Sequence, residues 1–263
     1  MVEREPWTIE RGEGPVAAFA LHAGHDLRLE VAELVRLTDA ERLREEDPYT
    51  PDLMRSVQTR VIVNRSRFEV DLNRPRDDAV YIEPDQSWGL EVWSSRPPAD
   101  TIARSLEEWD RFHAMVAELL AEMHERHGRF VVYDVHSYNH RRAGPDGPVA
   151  DASANPDVNV GTGSLDRARW ALVVDRFMAS MRTFGSPSCP LDVRENVRFR
   201  GGHFSKWVHE QFPDSACVLA IEFKKTFMDE WTGDANRARI AWLGRALAST
   251  IPGVVAELDR CRA

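Results

Sequence analysis

The sequence predicts an α/β fold, one central, mixed and mostly parallel sheet flanked by helices on both faces. Strand-like apolar runs recur along the chain: Val16-Ala17-Ala18-Phe19-Ala20-Leu21, Val131-Val132-Tyr133-Asp134-Val135-His136 and Cys217-Val218-Leu219-Ala220-Ile221. Helical patterns of ten residues or more separate them, as crossover connections require. No repeat, low-complexity tract or linker divides the 263 residues, and 43% apolar content supplies one core, so residues 1–263 are expected to form one domain.

The elements follow in order. After the run 16–21, Thr38-Asp39-Ala40-Glu41 reads as a capping box opening a short helix, which Asp47-Pro48 ends. Gln58–Val63 reads as a strand, and Phe68–Asp71 as another that Pro75 stops beyond Asn73-Arg74. Ile102, Leu106, Trp109, Phe112, Val116, Leu119, Leu120 and Met123 recur at helical spacing over about 99–127, with His127-Gly128 as the stop. The strand holding His136 follows. A second long helix is expected over 164–183, started near Asp166 and stopped by Gly185. Then come a short strand near Leu191-Asp192-Val193, a helix near Ser205–Gln211, the strand 216–222 and a last helix from about Asp234.

Bulk properties exclude several classes. A net charge of -9 argues against a broad nucleic-acid-binding surface, so an anionic substrate would have to be attracted by local arginines. Cys189, Cys217 and Cys261 are odd in number and widely spaced, which suits a reducing compartment. Met1–Pro6 lacks the regions of a signal peptide, and no apolar run reaches the ~18–20 residues of a membrane span. A cytoplasmic protein is the expectation. No G-x-G-x-x-G or Walker loop follows a strand, and Ser137 has no G-x-S-x-G around it, which removes nucleotide binding and serine hydrolysis.

Chemistry concentrates at strand ends, where open α/β sheets hold their ligands. His22 and His25 close the first run, with Gly24 between them permitting a tight turn. His136 closes another. Each histidine alone has a bland reading as a loop or core residue; together they form a candidate metal site, with Asp26 as the alternative to His25. Three protein ligands plus one open position is the arrangement of a catalytic zinc. Asp134 shares the strand face of His136 and either fixes its tautomer or caps a helix. Glu222, among apolar neighbours, is either a general base with a raised pKa or the partner of Lys224 or Lys225. Asn73 and Arg74 suit a carboxylate clamp, or else an Asx turn with a solvated arginine. Arg141, Arg142 and His203 are further candidates for holding an anionic substrate. Residues 155–162 and 196–203 read as polar, glycine-marked loops of the kind that carry sites. Trp88 and Trp93, in a proline-bounded loop, suit packing, a lid or an oligomer contact.

Taken together, His22-Ala23-Gly24, Asp71-Leu72-Asn73-Arg74-Pro75, Asp134-Val135-His136-Ser137, Asp157–Thr162, Gly201-Gly202-His203 and Ile221-Glu222 resemble the N-formylglutamate amidohydrolase family, in its order and over roughly residues 16–225. That resemblance implies a fold similar to zinc carboxypeptidases and aspartoacylase-like deacylases, with one zinc per chain at strand ends. It makes His22 and His136 metal ligands, puts Asn73 and Arg74 on the substrate carboxylate and gives Glu222 the general-base role. Zinc carboxypeptidases carry a glutamate three residues after the first histidine; here that position is His25, followed by Asp26. The activity implied is metal-assisted hydrolysis of the amide of an N-acyl amino acid such as N-formylglutamate. The alternatives are a carboxypeptidase-like or other deacylase on a peptide or another acyl amino acid, and a non-catalytic binder of acidic ligands.

Overall fold

The structure is a computed structural model that describes residues 4–184 and 190–260. Gly185, Cys189, Cys261 and the first three residues of the N-terminal stretch lie outside them. Within the described residues seven strands, β1 (Trp7–Glu10), β2 (Val16–Ala20), β3 (Thr59–Val63), β4 (Phe130–Tyr138), β5 (Val158–Gly161), β6 (Val193–Glu195) and β7 (Ala216–Lys224), form a single mixed sheet. Its order is β1-β3-β2-β4-β7-β5-β6. The central strands β3, β2, β4 and β7 are parallel, β1 and β5 pair antiparallel with β3 and β7, and β6 is parallel to β5.

Among the described residues seven α-helices accompany the sheet: α1 (Leu29–Ala32), α2 (Asp39–Glu45), α3 (Thr50–Leu53), α4 (Ala99–His127), α5 (Ala171–Phe184), α6 (His203–Gln211) and α7 (Arg237–Arg260). Alternate residues of each central strand face opposite layers. Val16, Ala18, Ala20, Val131, Tyr133 and Val135 pack with α3, α5 and α7. Ala17, Phe19, Val61, Phe130 and Val132 pack with α4 and α6. Helix α4 buries Phe112, Val116, Leu119, Leu120 and Met123 as one stripe, each worth about 1.5–3 kcal/mol of removed apolar surface. Its first turns bury Thr101, Ser105 and Glu108 instead, because Arg28 and Arg65 reach them there.

Most expected elements are present. The capping box at Thr38 and Glu41 forms, and Gly128 ends α4 at φ 70°. Three differences have local causes. Helix α5 begins at Ala171, since Asp166 holds residues 166–170 in a turn through Arg169 N–H and Trp170 N–H. Phe68–Arg74 is not a strand: Asp71 N–H bonds Ala79 O and Arg74 N–H bonds Asp71 O, curling the segment. Residues 158–161, expected as loop, are β5, a fully buried strand.

His209 on α6 gives the fold a pH dependence. Val218 N–H donates to His209 Nε2 at 3.0 Å, and His209 Nδ1 lies 2.9 Å from Ser164 Oγ. Burial holds the imidazole at about 4, below its ordinary 6.5. The unfolded chain therefore binds the extra proton first, and stability falls as pH drops from 6.5 toward 4, by up to about 1.4 kcal/mol per pH unit. Melting temperature against pH should be measured for wild type and His209→Gln. The variant is expected to lose less stability over that window, and parallel curves would contradict the assignment.

Candidate metal centre and cleft

Sheet parity brings the chemistry to one face. On β4 the α4/α6 layer takes Phe130 and Val132, so Asp134 and His136 project the same way. On β7 the matching positions are Ala216 and Val218, hence Glu222, which stands opposite His136 in register. His22 follows β2, the neighbour of β4.

His22, Asp47 and His136 form a buried group whose ligand atoms all lie within 4.8 Å of one another, the one such group of three among the described residues. Asp47 Oδ2 is 3.4 Å from His22 Nδ1 and 3.2 Å from His136 Nδ1. Each imidazole turns its other nitrogen to a fully buried carboxylate: His22 Nε2 to Asp71 Oδ1 and His136 Nε2 to Asp134 Oδ1, both at 2.8 Å. Carboxylates accept only, so each Nε2 carries hydrogen and each Nδ1 faces Asp47. With Nε2 anchored in this way, each Nδ1 is aimed where a cation between the imidazoles and Asp47 would displace its hydrogen, the orientation that metal-binding histidines need. Ser205 Oγ–H secures Asp134, and Ser137 Oγ–H donates to Asp47 Oδ1.

The charge balance agrees. Asp47, Asp71, Asp134 and Glu222 crowd around two imidazoles and Arg67. Burial raises the Asp47 carboxyl, but bonds from His136 and His22 outweigh it and leave it well below the usual range. Burial opposes charge on His136, yet Asp134 and then Asp47 lift its pKa well above normal. Glu222, with less compensation, is pushed up to about 8 by burial and by the charges of Asp47 and Asp134. Buried carboxylates gathered around two imidazoles turned in this way fit a divalent cation.

The structure groups the expected ligands differently. His25 and Asp26 do not join His22 and His136; Asp47 does. After His22 the chain runs on beside the segment following β3, with Asp26 N–H to Asn64 O and Ser66 N–H to Asp26 O. This carries His25 outward, where Nδ1 meets Glu46 Oε2 at 2.5 Å and Nε2 meets Arg42. Asp26 faces Arg4. Gly24 is required for close approach and not for a turn: a Cβ there would sit 2.2 Å from Asn64 backbone. Asp47 returns through α2, and its N–H donates to His22 O at 2.8 Å. Lys225, buried under the same segment, donates to Arg44 O and Glu46 O and holds it down.

A cleft of about 360 Å³ opens over the triad. Asn73, Arg142 and Glu222 line it with His22 and His136, whereas Arg74, Arg141 and His203 do not. Asn73 Oδ1 accepts Phe204 N–H at the start of α6, leaving its NH2 group free to donate. Arg74 donates to Gln86 O. Arg141 Nη1 donates to Pro145 O, and His203 packs beside Trp109 and His113. The sequence reading missed Asp47, seen there only as a helix stop, together with Asp71, Arg67 and Arg198. Arg67 is held by Asp71 at 2.7 Å and faces the cleft. Arg198 lies over Tyr138 and Phe199, donates to Asn155 Oδ1, and makes no ion pair among the described residues. Glu222 is not paired with a lysine: Lys224 meets Asp157 and Lys225 the two carbonyls. A larger hollow of about 760 Å³ between Arg4, Arg28, Arg65 and Arg111 mixes both signs of charge and contains none of this triad.

Known proteins resemble this chain. A family model described as N-formylglutamate amidohydrolase matches residues 15–228. The N-formylglutamate deformylase of Pseudomonas aeruginosa is 30% identical, over 92% of this chain and 93% of that protein. Among solved structures, N-formylglutamate amidohydrolase from Ralstonia eutropha JMP134 has a TM-score of 0.72 at 17% identity, with 98% of both chains covered. Gene product Atu2144 from Agrobacterium tumefaciens has 0.69 at 19%, with 97% of both covered. The two structures share the fold, and the first two matches each cover well over half of the chain. This protein belongs to the N-formylglutamate amidohydrolase family.

Proposed function

We propose that this protein hydrolyses N-formylglutamate to formate and glutamate, with one zinc ion held by His22, Asp47 and His136 and with Glu222 as general base. The observation that carries the reading is the convergence of two imidazoles and a carboxylate beside Glu222, at one end of an arginine-lined cleft. When bound, zinc supplies Lewis acidity and lowers the pKa of water from ~16 toward ~7. Positive charge at the triad also brings Glu222 down from about 8, so that it can act as a base near neutrality. Glu222 takes the proton of the attacking water and delivers it to the departing nitrogen as the C–N bond breaks. Arg67, charged and donor-rich beside His22, faces the oxygen where negative charge develops.

Two groups suit the carboxylates of the substrate. Asn73 offers its NH2 group at the start of α6, and Arg198, which makes no ion pair among the described residues, offers a guanidinium across the cleft. Arg142 is engaged by Glu45 in two hydrogen bonds and is the weaker anion receptor. Holding both ends of a dicarboxylate fixes the formyl carbon against the triad, and that orientation lowers the barrier. Three odd cysteines remain consistent with a cytoplasmic enzyme within this proposal.

The test is a hydrolysis screen on purified protein with and without added zinc, using N-formyl amino acids with acidic, neutral and basic side chains. N-formylglutamate is expected to be turned over fastest, with activity lost on chelation and restored by zinc. Turnover that ignores chelation, or a preference for a basic side chain, would overturn the proposal.

A further inference from the structure

The cleft has two ends, set by strand order. His22 and Asp47 follow β2 and Arg67 follows β3, whereas Glu222 stands on β7 and Arg198 and Phe199 follow β6, beyond β4. In the deformylase reading, on which this inference rests, Glu222 returns its proton to the departing nitrogen. The amine half of the substrate then lies on the β7 side, and whatever is attached to the acyl carbon points the other way, toward β3.

What it meets there is a closed ring of four residues, Glu45 contributing both its backbone carbonyl and its carboxylate. Arg67 Nη1 donates to Glu45 O at 3.3 Å. The Glu45 carboxylate accepts Arg142 Nη1 and Nη2 at 3.2 and 2.9 Å. The Trp88 indole completes the ring, its centroid 4.8 Å from Cζ of Arg67 and 5.9 Å from Cζ of Arg142. Both guanidiniums thus brace one aromatic plane, an arrangement favoured by the ring quadrupole.

Each member is held from behind. Arg67 is fixed by Asp71. The loop of Arg142 is gripped by buried Glu230, which accepts His140 N–H and Arg141 N–H at 2.7 and 2.8 Å. Trp88 follows the 3₁₀ turn Pro84–Ser87, which Arg74 ties down through Gln86 O at 2.8 Å. Trp88 itself sits at φ 55°, a backbone region that a bulky residue keeps only where its surroundings impose it. Its neighbour Trp93 is explained by packing, with Phe68, Tyr81 and Val92. Trp88 is not: it is 47% exposed and belongs to no core cluster, yet it lines the cleft.

We propose that Trp88 is the acyl-size gauge of this enzyme, a rigid wall that accepts the hydrogen of a formyl group and excludes the longer chains of acetyl and succinyl groups. Rate constants kcat/KM should be measured for N-formyl-, N-acetyl- and N-succinylglutamate with wild type, Trp88→Ala and Trp88→Phe. Zinc content and melting temperature serve as controls for folding. In Trp88→Ala the formyl-to-acetyl ratio is expected to fall roughly tenfold or more, the size of effect that one methyl group produces in a shaped pocket, and through a gain on the acetyl substrate. Trp88→Phe keeps a planar wall and should shift the ratio by less. A zinc-loaded, folded Trp88→Ala with the wild-type ratio overturns the inference while leaving the deformylase reading standing. A wild type inert on all three substrates overturns that reading, and this inference with it.

Discussion

Asp47→Ala is expected to abolish stoichiometric zinc binding and to lower kcat/KM by roughly 10³-fold or more, the equivalent of losing several kcal/mol of charge stabilisation. The expectation follows from geometry: Asp47 Oδ2 is the one oxygen facing Nδ1 of both His22 and His136. His25→Ala is the informative control, because His25 bonds Glu46 and Arg42 and turns no nitrogen toward the triad. It should keep its zinc. Asp47→Asn preserves shape and the contact with Ser137, so it separates loss of the ligand from loss of the fold. Zinc per chain, measured on purified protein, decides the matter. Retention in both Asp47 variants with loss in His25→Ala would restore the local spacing as the true ligand set.

Glu222→Gln should retain zinc and lower kcat by about 10²–10⁴-fold, the usual contribution of a positioned general base. A second consequence concerns stability. Burial holds Glu222 at about 8 in the metal-free fold, against an ordinary 4.5. The unfolded chain releases that proton first, so the buried carboxyl weakens the metal-free fold as pH rises from 4.5 to 8. The uncharged amide has no such dependence. Metal-free Glu222→Gln should therefore gain in melting temperature relative to wild type across that interval. Activity near the wild-type level would remove Glu222 from the base role, and parallel melting curves would remove the burial argument.

How legible the site was depends on how far apart its parts lie in the chain. Asp134 and His136 are two residues apart on one strand, and period-two geometry alone placed them together. Glu222 was readable because an apolar strand ends in it. Asp47 was not, since it lies beyond α2 and is brought back to the triad by tertiary bonds, its N–H to His22 O and Ser137 Oγ–H to its carboxylate. His25 shows the converse: it is near His22 in sequence and carried away from it by pairing with the segment after β3. Arg74 looked like a clamp from its neighbours but donates to Gln86 O and does not line the cleft, while Arg198 offered no local pattern that set it apart from any solvated arginine. β5 was taken for loop because its alternation is short and interrupted by Asn159. That side chain is buried only because it holds Arg198 and Phe199, through Arg198 N–H and Phe199 O.

By itself the sequence determined the layered architecture, the helices with clear apolar stripes and caps, and the strand ends where histidines and a glutamate emerge. Those features depend on neighbours within a turn or a strand, where periodicity is physical and local. The tertiary structure decided which carboxylate completes the triad, which arginines reach the cleft and what closes its far end. Such pairings are set by how loops return across the sheet, and buried charges accept only the partners that packing delivers to them.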